Sequence, residues 1–379
     1  MNYSERSLAL HEQHTGKLEI ASKVPLDSMD DLAVAYTPGV AEPCRVIAAD
    51  KTKAMTLTMK GNTVAVVTDG SAVLGLGNIG PEAALPVMEG KAILYKKFAG
   101  IDAVPICLAT QDTEEIIQTI KHIAPTFGGI HLEDISAPRC FEIEERLERE
   151  LDLPVMHDDQ HGTAVVVLAG LTNALKVVEK KMQDVRVVIS GAGAAGIAIA
   201  WLLREAGATK ISMLDSKGVI GIGREGMNPW KDKLAQAIQD GATHAGMNLA
   251  DAVKGADVFI GVSQPGLLTA EMVKSMAPRA IVFAMANPVP EIMPEEARAA
   301  GAAVVASGRS DFPNQVNNVL AYPGMFLGAL RNHVNHFSLA TKVKAAQALA
   351  AFVPQPTAEK ILPNVFEEGV AEAVAKVIV

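Results

Sequence analysis

Residues 185–196 read VRVVISGAGAAG, and the chain runs on as IAIAWLLREAGATKISMLDS to Ser216. The β-branched residues 185–190 have the length of a buried strand, and residues 197–206 read as an apolar helix. Between them stands a GxGxxG sequence, which on its own recurs by chance in chains rich in Gly and Ala. Its place between a strand and a helix supplies a mechanism. Gly191 permits a tight turn, Gly193 lets the backbone approach a pyrophosphate, and Gly196 lets the helix pack close to the sheet. The helix N-terminus then favours the anion. A second strand, 210–214, ends at Asp215, which is placed to accept hydrogen bonds from an adenosine ribose. A Rossmann-type dinucleotide site follows, with Gly191, Gly193, Ala194, Ala195, Gly196, Asp215 and Val262 as expected cofactor contacts. The plainer alternatives are a turn without ligand and an Asp that only caps a turn.

The DSKG sequence at 215–218 leaves the cofactor open. Asp215 repels a 2′-phosphate and favours NAD, whereas Ser216 and Lys217 can hold one. The lean is to NAD, with NADP possible.

Outward from this unit, residues 257–262, 280–286 and 302–306 repeat the short apolar strand pattern, with helical stretches at 231–239 and 271–276. Together they predict a doubly wound parallel sheet. Upstream, residues 63–68, 103–108 and 129–132 read as buried strands, and 114–123 and 141–151 as helices. A chain of 379 residues exceeds one ordinary core. The expected class is therefore α/β with two domains. Residues 1–160 would be the N-terminal substrate and metal domain, and 161–379 a C-terminal Rossmann domain, entered through a helix at 162–178. Helices from Val319 onward would fold back on the first domain.

Composition excludes several function classes. Apolar residues make up 49% and charged residues 20%, which suits a packed globular protein. A net charge of −9 argues against a nucleic-acid partner, because a phosphate backbone demands a basic face. No basic amphipathic stretch and no charge-free apolar span of about 20 residues speaks for a membrane. Cys44, Cys107 and Cys140 form no CxxC pair and read as reduced, mostly buried residues. The polar N-terminal twenty residues lack a signal-peptide pattern, so the expected location is cytoplasmic.

Two acidic pairs carry the second signal. Glu133 and Asp134 close the apolar run GGIHL, and Asp158 and Asp159 lie in PVMHDDQHGTA. Both pairs fall at the C-terminal ends of expected strands, where α/β proteins place ligands. Hard carboxylate oxygens at such a place suit Mg²⁺ or Mn²⁺. The bland alternative is solvated loop charge. His157 and His161 read as supporting residues, since an all-oxygen site needs no imidazole. Lys91 shares a helical face with Val87, Met88, Leu94 and Tyr95, unusual company for a lysine. Burial beside a cation would depress its pKa.

At this point a series of motifs resembles the malic enzyme family: AYTPGVA (35–41), VTDGSAVLGLGNIGPEAALPVMEGKAILY (67–95), LEDI (132–135) and HDDQHGTA (157–164), followed by GAGAAG, MANP (285–288) and NNVLAYPG (317–324). They run in family order from about Tyr36 to Gly324, in the form of the compact bacterial branch. The resemblance implies Tyr36 as general acid and Lys91 as general base. It implies Glu133, Asp134 and Asp159 as metal ligands, and Asn287 and Asn318 as substrate contacts, with Asn287 also near the cofactor. Larger relatives carry an arginine two residues after the TDG glycine to bind a substrate carboxylate. Here Ala72 stands there, leaving Ser71 as the neighbouring candidate. A homodimer is implied as well.

The chemistry implied by the resemblance is oxidative decarboxylation of L-malate to pyruvate and carbon dioxide, through oxaloacetate, with reduction of NAD or NADP. One rival is a malolactic enzyme, which releases lactate and retains its cofactor. A non-catalytic nucleotide-binding regulator would need neither Lys91 nor the carboxylates. An amino-acid dehydrogenase of similar two-domain plan would not need the metal-type carboxylates.

Overall fold

In the computed structural model, which describes every residue except Met1, Leu74 and Gln239, two largely parallel sheets organise the chain. Helices α1 (Tyr3–His14), α2 (Met29–Ala35), α3 (Ala41–Ala49) and α4 (Ala54–Leu57) come first, and none of them contains a buried residue. The first sheet holds β1 (Thr63–Thr68), β2 (Asp102–Cys107), β3 (Gly129–Leu132) and β4 (Val155–His157) in the order β2-β1-β3-β4, all parallel. Its crossovers are α5 (Pro81–Ala99), α6 (Thr113–Ile123) and α7 (Arg139–Glu150). Two of these helices, α6 and α7, are strongly amphipathic. α6, for example, buries Ile116, Ile117 and Ile120 and leaves its acidic first turn in water.

The long helix α8 (Asp158–Val177) leads from the first sheet to the second and is buried all round over residues 164–171. The second sheet holds β5 (Arg186–Ser190), β6 (Lys210–Asp215), β7 (Gly218–Val219), β8 (Val258–Gly261), β9 (Ile281–Ala284) and β10 (Val304–Ser307). The order is β10-β9-β8-β5-β6-β7, parallel except for the β6–β7 hairpin. This is the Rossmann-type arrangement expected. The order reverses between β5 and β8, which opens a ligand crevice at their C-terminal ends. Helices α9 (Ala194–Glu205), α10 (Pro229–Ala237), α11 (Leu249–Ala252), α12 (Ala270–Ser275) and α13 (Pro294–Ala299) connect these strands. The tail forms α14 (Tyr322–Asn332), α15 (Leu339–Ala351) and α16 (Val370–Ala375). α14 packs on α5, while α15 packs on α8.

Some boundaries differ from expectation. α8 starts four residues earlier than read, because Asp158 and Asp159 form its first turn, where the helix dipole favours acidic groups. The division expected at residue 160 thus falls inside a helix. α10 spans Pro229–Ala237 rather than 231–239, and Gln239 lies outside the described residues. The cysteines are free, but only Cys140 is buried; Cys107 is half-buried and Cys44 exposed. Among the described residues no helix is long and apolar enough to cross a membrane.

Candidate active site

Register brings the two acidic pairs together. β3 and β4 are parallel neighbours with Leu132 opposite His157, so residues 133–134 and 158–159 leave the sheet side by side. Glu133, Asp134 and Asp159 each offer an oxygen within 4.8 Å of the others. Glu133 and Asp134 are only 2% exposed. Burial pushes Glu133 up to about 7; it pushes Asp134 up to about 8, where the charges of Glu133 and Asp159 add to it. Asp134 takes a positive φ of 54°, and its N–H donates to Asp159 Oδ2 at 2.9 Å. Asp134 Oδ2 is buried and has no hydrogen-bond partner among the described residues. Three crowded carboxylates, two of them reluctant to ionise and one with an orphaned oxygen, fit a divalent cation.

Lys91 stands beside them. It lies on the inner face of α5 between the buried Met88 and Tyr95 and is 8% exposed. Its Nζ donates to Asp158 Oδ2 at 2.6 Å and lies 3.1 Å from Glu133 Oε1. Burial pulls the ammonium down, but the Asp158 and Glu133 carboxylates outweigh it and hold the pKa well above its ordinary value. The depressed lysine expected from the sequence is thus not a product of the protein's own groups, which bind the proton tightly.

Ser71 is buried near this cluster, tied there because the Ala72 N–H donates to the Asp134 carbonyl at 2.9 Å. Its Oγ donates to Asp69 Oδ1 at 2.5 Å and accepts from Arg139 Nη2 at 3.1 Å. Asn318 opens a 3₁₀ turn against α8, where a Cβ on Gly162 would come within 3.3 Å of its own Cβ and 1.8 Å of Asp158 Oδ1. Asn287 is exposed just past β9, and a Cβ on Gly75 would meet its carbonyl at 2.6 Å. Tyr36 is not brought into the cluster. It caps the C-terminus of α2 and is 66% exposed.

The cofactor residues line the crevice between β5 and β8. Gly191 has φ 117°, and a Cβ there would lie 2.5 Å from the Val262 carbonyl. A Cβ on Gly196 would lie 1.8 Å from the Gly191 carbonyl, whereas Gly193 faces open space. Ala194 and Ala195 form the first turn of α9, and the Val262 N–H joins β8 to Ser190 at 2.9 Å. The cavity in front has a volume of about 720 Å³ and is lined by Gly191, Gly193, Asp215, Lys217, Asn248 and Ser263. Asp215 lines this cavity too, and its carboxylate accepts from Arg224, Lys231 and the Lys217 N–H.

Sequence reasoning missed several partners. His131 bridges Tyr95 Oη at 2.8 Å and Glu133 Oε2 at 2.6 Å. Burial holds this imidazole neutral, with its pKa down to about 3. With an ionised Glu133 accepting from Nε2–H, the Tyr95 hydroxyl donates to Nδ1. The HLE spacing was a usable signal, since residues two apart on a strand share a face. His157 and His161, which the sequence did single out as supporting residues, pair with Asp159 at 3.2 Å and with Glu144 at 2.9 Å. Asp69, Arg139, Arg224 and Lys231 carried no local signal.

Known families and proteins match the chain over most of its length. The family described as "Malic enzyme, NAD binding domain" matches residues 160–379, and "Malic enzyme, N-terminal domain" matches 15–116 and 109–148. The chain is 57% identical to the bifunctional malic/malolactic enzyme of Bacillus subtilis, over 100% of this chain and 92% of that one. It is 55% identical to the NAD-dependent malic enzyme of Geobacillus stearothermophilus, over 100% and 79% of the two chains. The crystal structure of malic enzyme from Pyrococcus horikoshii superposes with a TM-score of 0.94 at 46% identity, covering 99% of this chain and 89% of that one.

Proposed function

The chain belongs to the malic enzyme family, and on that premise we propose that it oxidatively decarboxylates L-malate to pyruvate and carbon dioxide, reducing NAD or NADP with Mn²⁺ or Mg²⁺. The observation that carries the reading is the Lys91 ammonium held by Asp158 and Glu133 beside the converging oxygens of Glu133, Asp134 and Asp159. A regulator that only bound nucleotide would have no use for that buried constellation.

Glu133, Asp134 and Asp159 are the residues that would hold the cation. When bound, the metal supplies Lewis-acid stabilisation of the substrate oxygens, and the nicotinamide supplies the hydride acceptor. Lys91 is the proposed base: with a cation bound to offset the Asp158 and Glu133 charges, its Nζ would stand neutral and take the proton of the malate C2 hydroxyl. Asp158 fixes that nitrogen in place and receives its charge. Oxidation at C2 gives oxaloacetate, and departure of carbon dioxide leaves an enol that Tyr36 protonates at C3. Ser71, Asn287 and Asn318 are the proposed substrate contacts.

A homodimer is proposed with this reading. Leu32, Val34, Val40 and Val46 are exposed on the same N-terminal segment as Tyr36, and a clustered exposed apolar surface marks an interface. Such an assembly is the setting in which Tyr36 would leave solvent. A cytoplasmic setting, read from three free cysteines, belongs to the same proposal.

The name of the Bacillus subtilis relative favours a second reading, the malolactic reaction. The deciding experiment incubates purified protein with L-malate, Mn²⁺ and either NAD or NADP, following reduced cofactor while assaying pyruvate and lactate. Reduced cofactor with pyruvate supports the first reading. Lactate without net reduction replaces it with the second, and no product from any cofactor removes both.

A further inference from the structure

Glu291 follows β9 in the sequence ANPVPEI and is fully buried, yet no step of the proposed reaction uses it. A buried carboxylate needs donors, and those of Glu291 come from two separate loops. Oε1 accepts from the Ser263 N–H at 2.9 Å and from Ser263 Oγ at 3.4 Å, in the loop after β8. Oε2 accepts from the Ala286 N–H at 3.0 Å, in the loop after β9. All three donors are neutral. The carboxylate lies directly over the end of β8, because a Cβ on Gly261 would stand 2.3 Å from its Cδ.

Both loops border ligand-binding space. Ser263 lines the dinucleotide cavity with Gln264 and Leu267, and its hydroxyl meets Ser190 Oγ, at the end of β5, at 3.1 Å. Ala286 precedes Asn287, whose carbonyl a Cβ on Gly75, between β1 and α5, would meet at 2.6 Å. The loop after β9 thus reaches the part of the chain that carries Lys91. Strand order assigns the halves of the crevice. The adenosine half of a dinucleotide lies on the β6 side of the GxGxxG turn, so the nicotinamide half lies over β8 and β9.

We infer that Glu291 is a positioning residue for the nicotinamide: by joining the Ser263 and Ala286 N–H groups, it holds the loops after β8 and β9 at one spacing and fixes the floor of that half of the crevice. It acts through these loops and touches no ligand itself. This rests on the reading of the crevice as a nicotinamide dinucleotide site.

The test is calorimetric titration of the full chain with NADH and with ADP-ribose, which keeps the adenosine and pyrophosphate but lacks the nicotinamide. For a chain that prefers the phosphorylated cofactor, the pair is NADPH and 2′-phospho-ADP-ribose. Glu291→Gln sets an amide donor against a backbone N–H, so one buried donor loses its acceptor. It is expected to weaken the reduced cofactor about tenfold and the ribose fragment less than about twofold. Gly261→Ala, which pushes the carboxylate aside but leaves it in the chain, is expected to give the same split. Unchanged affinity for the reduced cofactor in Glu291→Gln overturns the inference. So does parallel loss of both ligands in the two variants, since the carboxylate then supports only the fold. An unsubstituted chain that binds neither ligand refutes the dinucleotide reading and the inference with it. One that binds both, shows the split and turns over no malate refutes the proposed reaction alone.

Discussion

Lys91 Nζ donates to Asp158 Oδ2 at 2.6 Å, while the adjacent Asp159 turns to the Asp134 N–H instead. Successive residues of a helix point about 100° apart, so the paired aspartates at the start of α8 cannot share a task. Asp158 serves the lysine and Asp159 the oxygen cluster. Glu133 joins the two halves, with one oxygen 3.1 Å from Lys91 and the other accepting from His131.

Replacing Lys91 by Ala removes the proposed base. General-base catalysis contributes about 10²–10⁴-fold, and kcat is expected to fall by that much. Fluorescence titration should find cofactor affinity unchanged, because the β5–β8 crevice is untouched. Asp158→Asn should show a smaller loss in kcat, since it weakens the hold on Lys91 without deleting it. Turnover that survives Lys91→Ala would refute the assignment.

The carboxylate cluster makes its own prediction. A cation that binds the folded state only, at a concentration about 100 times its Kd, stabilises by about 2.7 kcal/mol. Mn²⁺ should therefore raise the Tm of the chain, and a chelator should reverse the rise and abolish turnover. Asp134→Asn, which removes the donor with the orphaned oxygen, should cut the shift to a fraction. A melting curve that ignores Mn²⁺ in the unsubstituted chain would count against the site.

What the sequence made legible was local. The strands at 63–68, 186–190 and 210–215 were readable because each is a short apolar run between breakers. α1 to α4 carry no buried residues, so their apolar side chains, Leu32, Val34 and Val46 among them, mark no core face of this chain. Glu133, Asp134, Asp159 and Lys91 stood out by type against apolar surroundings. Their partners did not, because the Lys91–Asp158 contact spans 67 positions and exists only once the sheet has set α5 beside the end of β4. Arg224 and Lys231 reach Asp215 from across an irregular loop, where spacing carries no information. The two carboxylates that hold the Lys91 proton were hidden for the same reason, since no local window contains them.

Gly196→Ala tests the turn itself. The new methyl would stand 1.8 Å from the Gly191 carbonyl, a backbone atom that cannot swing aside. The turn must open, which moves the amides that face the pyrophosphate. Binding of NAD and NADP should both weaken by more than tenfold, at a stability cost of about 1–3 kcal/mol. Unaltered binding of both dinucleotides would show that the turn tolerates the methyl and that the close approach is not needed.

A last prediction concerns Glu148, on α7 away from the cation cluster. Burial pushes its carboxyl up to about 7, with Glu144 and Glu145 adding to the effect and the buried Lys342 opposing it. Its Oε1 has no hydrogen-bond partner among the described residues, and the nearest cation-capable group is His336 Nδ1 at 3.6 Å. In the unfolded chain the group titrates near its ordinary value of 4.5. Below that value both states hold the proton, and Glu148 costs nothing. Between 4.5 and about 7 the folded state keeps a proton that the unfolded state has released, so stability falls as pH rises. Above about 7 the loss is complete, at about 3 kcal/mol on the scale of 1.36 kcal/mol per pKa unit. Glu148→Gln keeps the shape and removes the titration. Urea unfolding at pH 5 and pH 8 should show a drop in stability for the unsubstituted chain that is reduced by up to about 3 kcal/mol in the variant. The variant should also be the more stable protein at pH 8. The same dependence on pH in both proteins would mean that Glu148 ionises freely in the fold and that its burial is relieved by water.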